Sequence, residues 1–216
     1  MDKISFNGSY HFLQNQVGLP CALCGRRIIS DIELKKLAPL LSFAKGKEVA
    51  DILTPYLDSF ETSAGEPIFE LVNLAKEGRF ESLSLKNLAL HLKSKNICKG
   101  NLKDVLGRLF DSILYSADHV VPKSEGGINN YANYLPMHRK CNSGRYSESY
   151  ASLAEKKPDF LYNLQNTLEE INRRITSDKT GSTHYRINLP ADYVSKVSES
   201  LAAQGVNITN RLQISA

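Results

Sequence analysis

Cysteine is scarce in this chain and unevenly placed, and that constrains the fold more than any other feature. Cys21 and Cys24 sit close together, whereas Cys98 and Cys141 stand alone far downstream. Two intervening residues let both thiolates face one ion, so Cys21-Ala22-Leu23-Cys24 has metal-ligand spacing. A disulfide framework is not the first expectation, because 216 residues with 42% apolar content bury a proper core without staples. No stretch approaches the ~18–20 apolar residues that cross a bilayer. Met1 to Ser9 is polar, with no early apolar run of useful length after it. The expectation is a cytoplasmic protein with no membrane partner.

The net charge is +4 and is spread along the chain, with no basic tail and no segregated basic domain. Mild basicity suits a nucleic-acid partner without establishing one. Any phosphate-binding surface must therefore be assembled by folding.

Past Gly25-Arg26-Arg27 the chain reads as helical for about eighty residues. Asp31 is the expected N-cap of a segment with Leu34, Leu37, Leu40 and Leu41 at helical spacing. Glu48 to Phe60 carries a second stripe, which Pro55 should kink or end. Pro67 opens a third helix towards Glu77. Ser84 to Lys95 and Asn101 to Leu114 repeat the pattern, with Asn101 as a cap. At Tyr115 the period changes: Tyr115 to Pro122 alternates, Gly126-Gly127 permits positive φ, and a second extended piece covers Tyr134 to Met137. A helix is then expected from about Asn142 through Tyr146 and Tyr150, which would share a packing face. Asp159 to Ile175 follows, with Leu161, Leu164, Leu168 and Ile171 in register. Asp178 to Thr183 reads as a loop, Pro190 to Ala203 as a last amphipathic helix, and Asn207 to Ala216 as loose. The fold class is mainly α with one small ββα unit, an α+β arrangement.

Chemistry concentrates in Asp118-His119, Gly126-Gly127, Asn133 and His138-Arg139-Lys140-Cys141-Asn142. Cutting a phosphodiester needs an activated water, a cation on the phosphate oxygens and stabilisation of the departing oxygen. Histidine suits the first task. A carboxylate and an amide oxygen suit a hard cation such as magnesium. Adjacent residues on a regular strand point to opposite faces, however. Asp118 and His119 need a bend between them to serve one atom, and a strand regular through His119 would send the two roles to other residues.

These residues resemble, in type and order, the HNH nucleases, also called ββα-metal or His-Me finger nucleases. The resemblance covers about residues 115–145 plus 21–24. It implies that His119 is the general base and that Asp118 and Asn142 hold a catalytic Mg²⁺ or Mn²⁺. It further implies that Asn133 braces the loop behind His119, and that the substrate is DNA, with RNA left open. An upstream Cys-x-x-Cys completes a structural zinc site in this family, which here gives Cys21, Cys24, His138 and Cys141. His138 stands where the family usually has a cysteine, so a second reading gives His138 to the catalytic metal and dispenses with zinc. The 93 residues between Cys24 and Asp118 exceed the usual connection. The expected organisation is a nuclease core from 1–30 and 111–150, a helical insertion at 31–110 and a helical extension at 151–216. The helical regions would shape substrate choice or dock a partner, either a second copy of the chain or another protein.

Arg145 is the expected phosphate contact, three residues past Asn142. Arg139 and Lys140, with Arg26 and Arg27, are either further phosphate clamps or solvated surface. Cys98 reads as a buried free thiol, and His11, His91 and His184 have no partners at ligand spacing. The competing function is a non-catalytic zinc-stabilised module that binds nucleic acid or a protein on the same scaffold.

Overall fold

The computed structural model describes residues 18–61, 65–79, 102–146, 148–177 and 189–208. The expected helix at Ser84–Lys95, the cap at Asn101, the loop at Asp178–Thr183 and most of the C-terminal stretch lie outside the described residues. So do Cys98, His11, His91 and His184. The described chain is mainly helical with one two-stranded antiparallel sheet, which is the α+β class expected. Its residues divide into two compact units, one within 29–114 and one from residues up to Ile28 together with those from Tyr115 onward.

In the first of these, α1 (Asp31–Phe43) is capped by Ser30 rather than Asp31. The Ser30 hydroxyl accepts the Glu33 N–H at 3.2 Å, and the Glu33 carboxylate accepts the Ser30 N–H at 3.1 Å. This reciprocal pair satisfies two orphan donors, which a cap one residue later would leave unpaired. Leu34, Leu37 and Leu41 are buried, and Leu40 is exposed. After α2 (Lys47–Leu53) the chain tightens to a 3₁₀ turn at Thr54–Ser59, with Pro55 in its first turn. Proline has no N–H to continue the α ladder, so the winding changes there. α3 (Glu66–Lys76) and α4 (Leu102–Leu109) complete the unit around Leu53, Phe60, Leu71, Leu106 and Phe110.

The second unit holds the sheet. β1 (Tyr115–His119) and β2 (Tyr134–His138) pair in regular register, from Tyr115 opposite His138 to His119 opposite Tyr134. The ladder extends one bond further, from the Val120 N–H to the Asn133 carbonyl. Pro136 turns its carbonyl away from β1 and accepts the Ala22 N–H at 2.9 Å, so the Cys21–Cys24 turn docks on the outer edge of β2. α5 (Arg139–Arg145), α6 (Tyr150–Lys156), α7 (Phe160–Thr176) and α8 (Tyr193–Ala203) follow. Phe160, Leu164, Leu168 and Ile171 of α7 are fully buried, while Leu161 is exposed. The buried stripe thus starts one residue earlier than its leucines suggest. Tyr193 of α8 ties that helix to β2 by donating to the Tyr134 carbonyl at 2.6 Å.

The single helix expected from Asn142 through Tyr150 is two. α5 stops at Arg145, and Tyr146 takes φ 51°, ψ −120°, a conformation that strains any residue with a Cβ. Tyr146 and Tyr150 therefore share no face: Tyr146 is 87% exposed and Tyr150 fully buried.

Candidate active site and metal-ligand cluster

The Cys21–Cys24 turn, the end of β2 and the start of α5 bring four ligand side chains together. The Cys21, Cys24 and Cys141 sulfurs and one His138 ring nitrogen lie within 4.8 Å of one another. His138 Nδ1 is 3.4 Å from the Cys24 sulfur and 3.8 Å from that of Cys141. These bracket the edge of roughly 3.6 Å that a tetrahedral S–N pair makes around an ion with S and N bonds of about 2.3 and 2.0 Å. The opposite ring atom, Nε2, lies 2.9 Å from the Arg27 carbonyl and donates to it, which turns Nδ1 toward the sulfurs as the nitrogen that would bind an ion. The His138 N–H also points at the Cys21 sulfur, 3.4 Å away.

The electrostatics of the cluster favour a cation. Hydrogen bonds from Cys141 and Cys21 push the Cys24 thiol far down, and the same crowding pushes Cys141 up. Burial alone would lower the His138 pKa, but hydrogen bonds to Cys21 and Cys24, and their charge, raise it to about 10. Three sulfurs and one imidazole nitrogen converging in a largely buried corner are a donor set that a metal ion would satisfy.

His119 ends β1 on the face opposite Asp118. Its ring packs edge-on against Tyr134, with centroids 4.6 Å apart, and its Nε2 lies 3.2 Å from Asn129 Oδ1. That oxygen also accepts the Tyr134 hydroxyl at 2.8 Å. It therefore serves as an acceptor, so His119 Nε2 carries the proton and Nδ1 keeps its lone pair. Asn129 is a residue that sequence reasoning did not single out. The available signal was the run Asn129-Asn130 beside Gly126-Gly127, polar residues held in a loop that returns to the strand.

Asn133 is buried and ties the loop to itself. Its Oδ1 accepts the Val121 N–H at 2.7 Å, and its Nδ2 donates to the Val121 and Ile128 carbonyls, both at 3.0 Å. Gly127 fits only as glycine, since a Cβ there would lie 1.8 Å from the Val121 carbonyl oxygen.

Asp118 faces the helices and is enclosed. Arg145 Nη2 donates to its Oδ1 at 2.9 Å, and Arg145 Nε lies 2.8 Å from Oδ2 without the alignment of a hydrogen bond. The Tyr150 hydroxyl donates to Oδ2. Arg145 Nη2 reaches the His119 carbonyl at 3.1 Å, Nη1 donates to the Glu148 carbonyl, and the guanidinium lies 4.6 Å from the centre of the Tyr150 ring. Burial, and then the neighbouring Asp118 charge, push the Tyr150 hydroxyl well above its ordinary range. Burial opposes the Arg145 charge, but the Asp118 partner more than offsets it. The guanidinium expected to meet a phosphate is thus committed to a buried carboxylate, with the two side chains 3% and 5% exposed.

Asn142 spends both amide N–H groups on β1, donating to Ser116 Oγ at 2.8 Å and the Ala117 carbonyl at 3.2 Å. Its Oδ1 is left over. Arg139 and Lys140 are exposed at the start of α5, Arg26 is exposed, and Arg27 is half-buried.

The structure thus brings Cys21, Cys24, His138 and Cys141 together, and separates Asp118 from His119 on opposite faces of a regular strand. A catalytic cation needs oxygen ligands open to it and to its waters. Asp118 as arranged does not offer one, so the residues implied to hold that ion do not fit it in this conformation.

Among the described residues no helix is long and apolar enough to cross a membrane. No curated protein and no solved structure matches the chain. One family model does match, described as HNH endonuclease, over residues 107–148, which takes in β1, β2 and α5. Over that stretch the chain is similar to the HNH endonuclease family.

Proposed function

We propose that the protein is an HNH-type endonuclease that hydrolyses phosphodiester bonds in DNA, with His119 as general base. Because the strand is regular, only that half of the Asp118–His119 pair is kept, and Asp118 serves no atom that His119 serves. The observation that carries this reading is the setting of the His119 ring. It rests on Tyr134, its Nε2–H is held by Asn129, and its Nδ1 is left as the basic atom. Hydrolysis then runs with His119 Nδ1 taking a proton from water while the water oxygen bonds to phosphorus and the ester P–O bond breaks, the departing oxygen taking a proton from solvent. Asn133 acts as a positioning residue, holding the loop that returns Asn129 to the ring.

The Cys₃His set is assigned to structural zinc. Three sulfurs and one histidine nitrogen at near-tetrahedral spacing are a closed donor set with no place for substrate, and the Nε2–H bond to the Arg27 carbonyl orients the histidine. This favours His138 as a zinc ligand over the reading that gives it to a catalytic ion. When present, a divalent ion such as Mg²⁺ or Mn²⁺ would offset charge on the phosphate. No step is drawn through it, because Asp118 is closed. Arg139 and Lys140, exposed at the start of α5, are the proposed phosphate contacts.

One observation favours the second reading, a binding module without catalysis: the Asp118 carboxylate is locked by Arg145 and Tyr150. Cleavage of supercoiled plasmid with added Mg²⁺ or Mn²⁺, comparing the native chain with His119→Ala, decides between them. The expected result is metal-dependent cutting that falls by about 10²–10⁴-fold in the variant. Plasmid left intact by a folded, zinc-loaded protein that still binds DNA would support the module.

A further inference from the structure

Two residues of this chain adopt the same unusual backbone, and only one of them suits it. Gly46, ahead of α2, has φ 50°, ψ −122°, and Tyr146, after α5, has φ 51°, ψ −120°. Glycine enters that region freely, whereas a Cβ there crowds the flanking peptide. Local hydrogen bonds hold the tyrosine in place. Its N–H donates to the Ser143 carbonyl at 3.3 Å, the Glu148 N–H donates to the Arg145 carbonyl at 3.0 Å, and Arg145 Nη1 donates to the Glu148 carbonyl. Packing offsets almost none of the strain, because Tyr146 is 87% exposed. Two residues earlier the reverse holds. Gly144 is helical, yet a Cβ on it would meet nothing within 4 Å. Alanine would favour the helix at 144, and glycine would relax the turn at 146. The fold alone therefore explains neither residue. A bare backbone beside a projecting ring fits a partner that comes close at 144 and covers the ring at 146.

The chemistry of the partner follows from the neighbours of the ring. Arg139 and Lys140 are exposed on the same short helix, and Arg145, next to the tyrosine, reaches the His119 carbonyl at 3.1 Å. Cations beside a planar ring suit a nucleic-acid strand, whose phosphates meet the first and whose base faces meet the second. Within a continuous duplex each base face is already covered. Prising a step apart there costs at least as much affinity as one ring contributes. A base that is already unpaired carries no such cost. We propose that Tyr146 is a stacking platform for an unpaired base, which directs the protein to DNA with a bulge, gap or similar interruption rather than to continuous duplex. The inference rests on the nuclease reading for DNA as the ligand, and deepens it by naming the substrate class. Every base has a π face, so the selection is for structure and not for sequence.

The test uses the full zinc-loaded chain carrying His119→Ala, so that the DNA stays intact. Fluorescence anisotropy compares a labelled duplex with the same duplex containing one unpaired adenine. The interrupted duplex is expected to bind at least about fivefold more tightly. Tyr146→Gly should bring the two affinities together while raising the urea midpoint. Tyr146→Phe keeps the ring and should retain the preference. The salt dependence of binding should be unchanged in Tyr146→Gly, since stacking releases no counterions. Gly144→Ala should raise the urea midpoint yet weaken binding to both duplexes, because its methyl group occupies the line of approach. Equal affinities in the parent, or a preference that survives Tyr146→Gly, overturns the proposal. So does a preference lost in Tyr146→Phe, or a Tyr146→Gly chain less stable than its parent, since the ring would then serve the fold. Absence of any DNA binding would sink the nuclease reading as well. Plasmid cutting by the native chain, with no preference for the interrupted duplex, would sink this proposal alone.

Discussion

Asn133 closes both backbone groups of Val121, taking its N–H on Oδ1 at 2.7 Å and giving Nδ2–H to its carbonyl at 3.0 Å. Val121 lies two residues past His119, and the third bond, to the Ile128 carbonyl, pins the far side of the same loop. An amide alone offers the donor and acceptor that this arrangement needs. Asn133→Ala should cost about 2–4 kcal/mol in urea unfolding, as three bonds at about 1 kcal/mol each are lost with a buried N–H left unpaired. Asn133→Asp should fail almost as badly, since it keeps the acceptor but has no proton for the two carbonyls. An Asp variant as stable as the native protein would show that the donor bonds do not matter.

Two adjacent glycines give opposite kinds of constraint. Gly126 has φ 87° with nothing near its missing Cβ, while a Cβ on Gly127 would collide with the Val121 carbonyl oxygen. Gly126→Ala should therefore cost only backbone strain, about 1 kcal/mol. Gly127→Ala should cost about 3 kcal/mol, because the loop must open to admit the methyl group. Thermal melts of the two variants measure this directly, and equal losses would mean that the close approach is relieved by a small shift.

Metal removal is expected to weaken the fold without abolishing it. The cluster sits among buried residues such as Leu19, Ile28 and Met137, which still pack in its absence. Cys24→Ser should lose stoichiometric zinc and about 3 kcal/mol, well below the roughly 10–16 kcal/mol seen where a peptide's whole fold rests on the ion. That corresponds to a fall in Tm of roughly 10 °C for a protein of this size. Zinc released to a colorimetric chelator, measured beside the melt, checks both numbers. A full zinc complement in the variant would remove Cys24 from the ligand set.

A pH dependence follows from Glu170 on α7. Its carboxylate bonds to Arg173 at 2.8 Å and to the buried Arg174 at 2.6 Å, and these bonds hold its pKa below the ordinary glutamate value near 4.5. A depressed folded pKa contributes stability that is full above the unfolded value and is lost as pH falls through the folded one. Glu170→Gln should therefore cost about 1 kcal/mol at neutral pH, discounted for the solvent exposure of Arg173, and much less in acid below pH 4. Urea midpoints at the two pH values should differ in gap between native and variant. A gap independent of pH would assign the loss to packing instead.

Much of the fold is legible in sequence where the signal is local. The gathering of Cys21, Cys24, His138 and Cys141 can be read because ligand spacing is discrete and survives any intervening length. The change of period at Tyr115 marks the start of β1 to the residue, though the strand ends three residues short of Pro122, and Pro55 marks the end of α2 within two. The neighbourhood of Asp118 cannot be read that way. Arg145 and Tyr150 look like members of one helix, since nothing about a tyrosine at 146 announces a left-handed residue. Once the chain breaks there, Tyr150 turns inward to the carboxylate and Arg145 with it. The cap of α1 shows the same limit at smaller scale: Ser30 and Asp31 are both good capping residues, and only the reach of Glu33 back to Ser30 chooses between them.

The two halves of the metal-ligand cluster are 117 residues apart, measured from Cys21 to His138. During synthesis at about 5–20 residues per second, the first pair of thiols waits roughly 6–23 s for its partners. The described residues between Ile29 and Leu114 emerge within that interval and have their own core to collapse around. The nascent chain therefore carries an open dithiol, exposed to oxidants and stray ions, until Cys141 leaves the exit tunnel. An ion held by all four ligands could therefore be captured only after Cys141 emerges, too late to nucleate the residues before it.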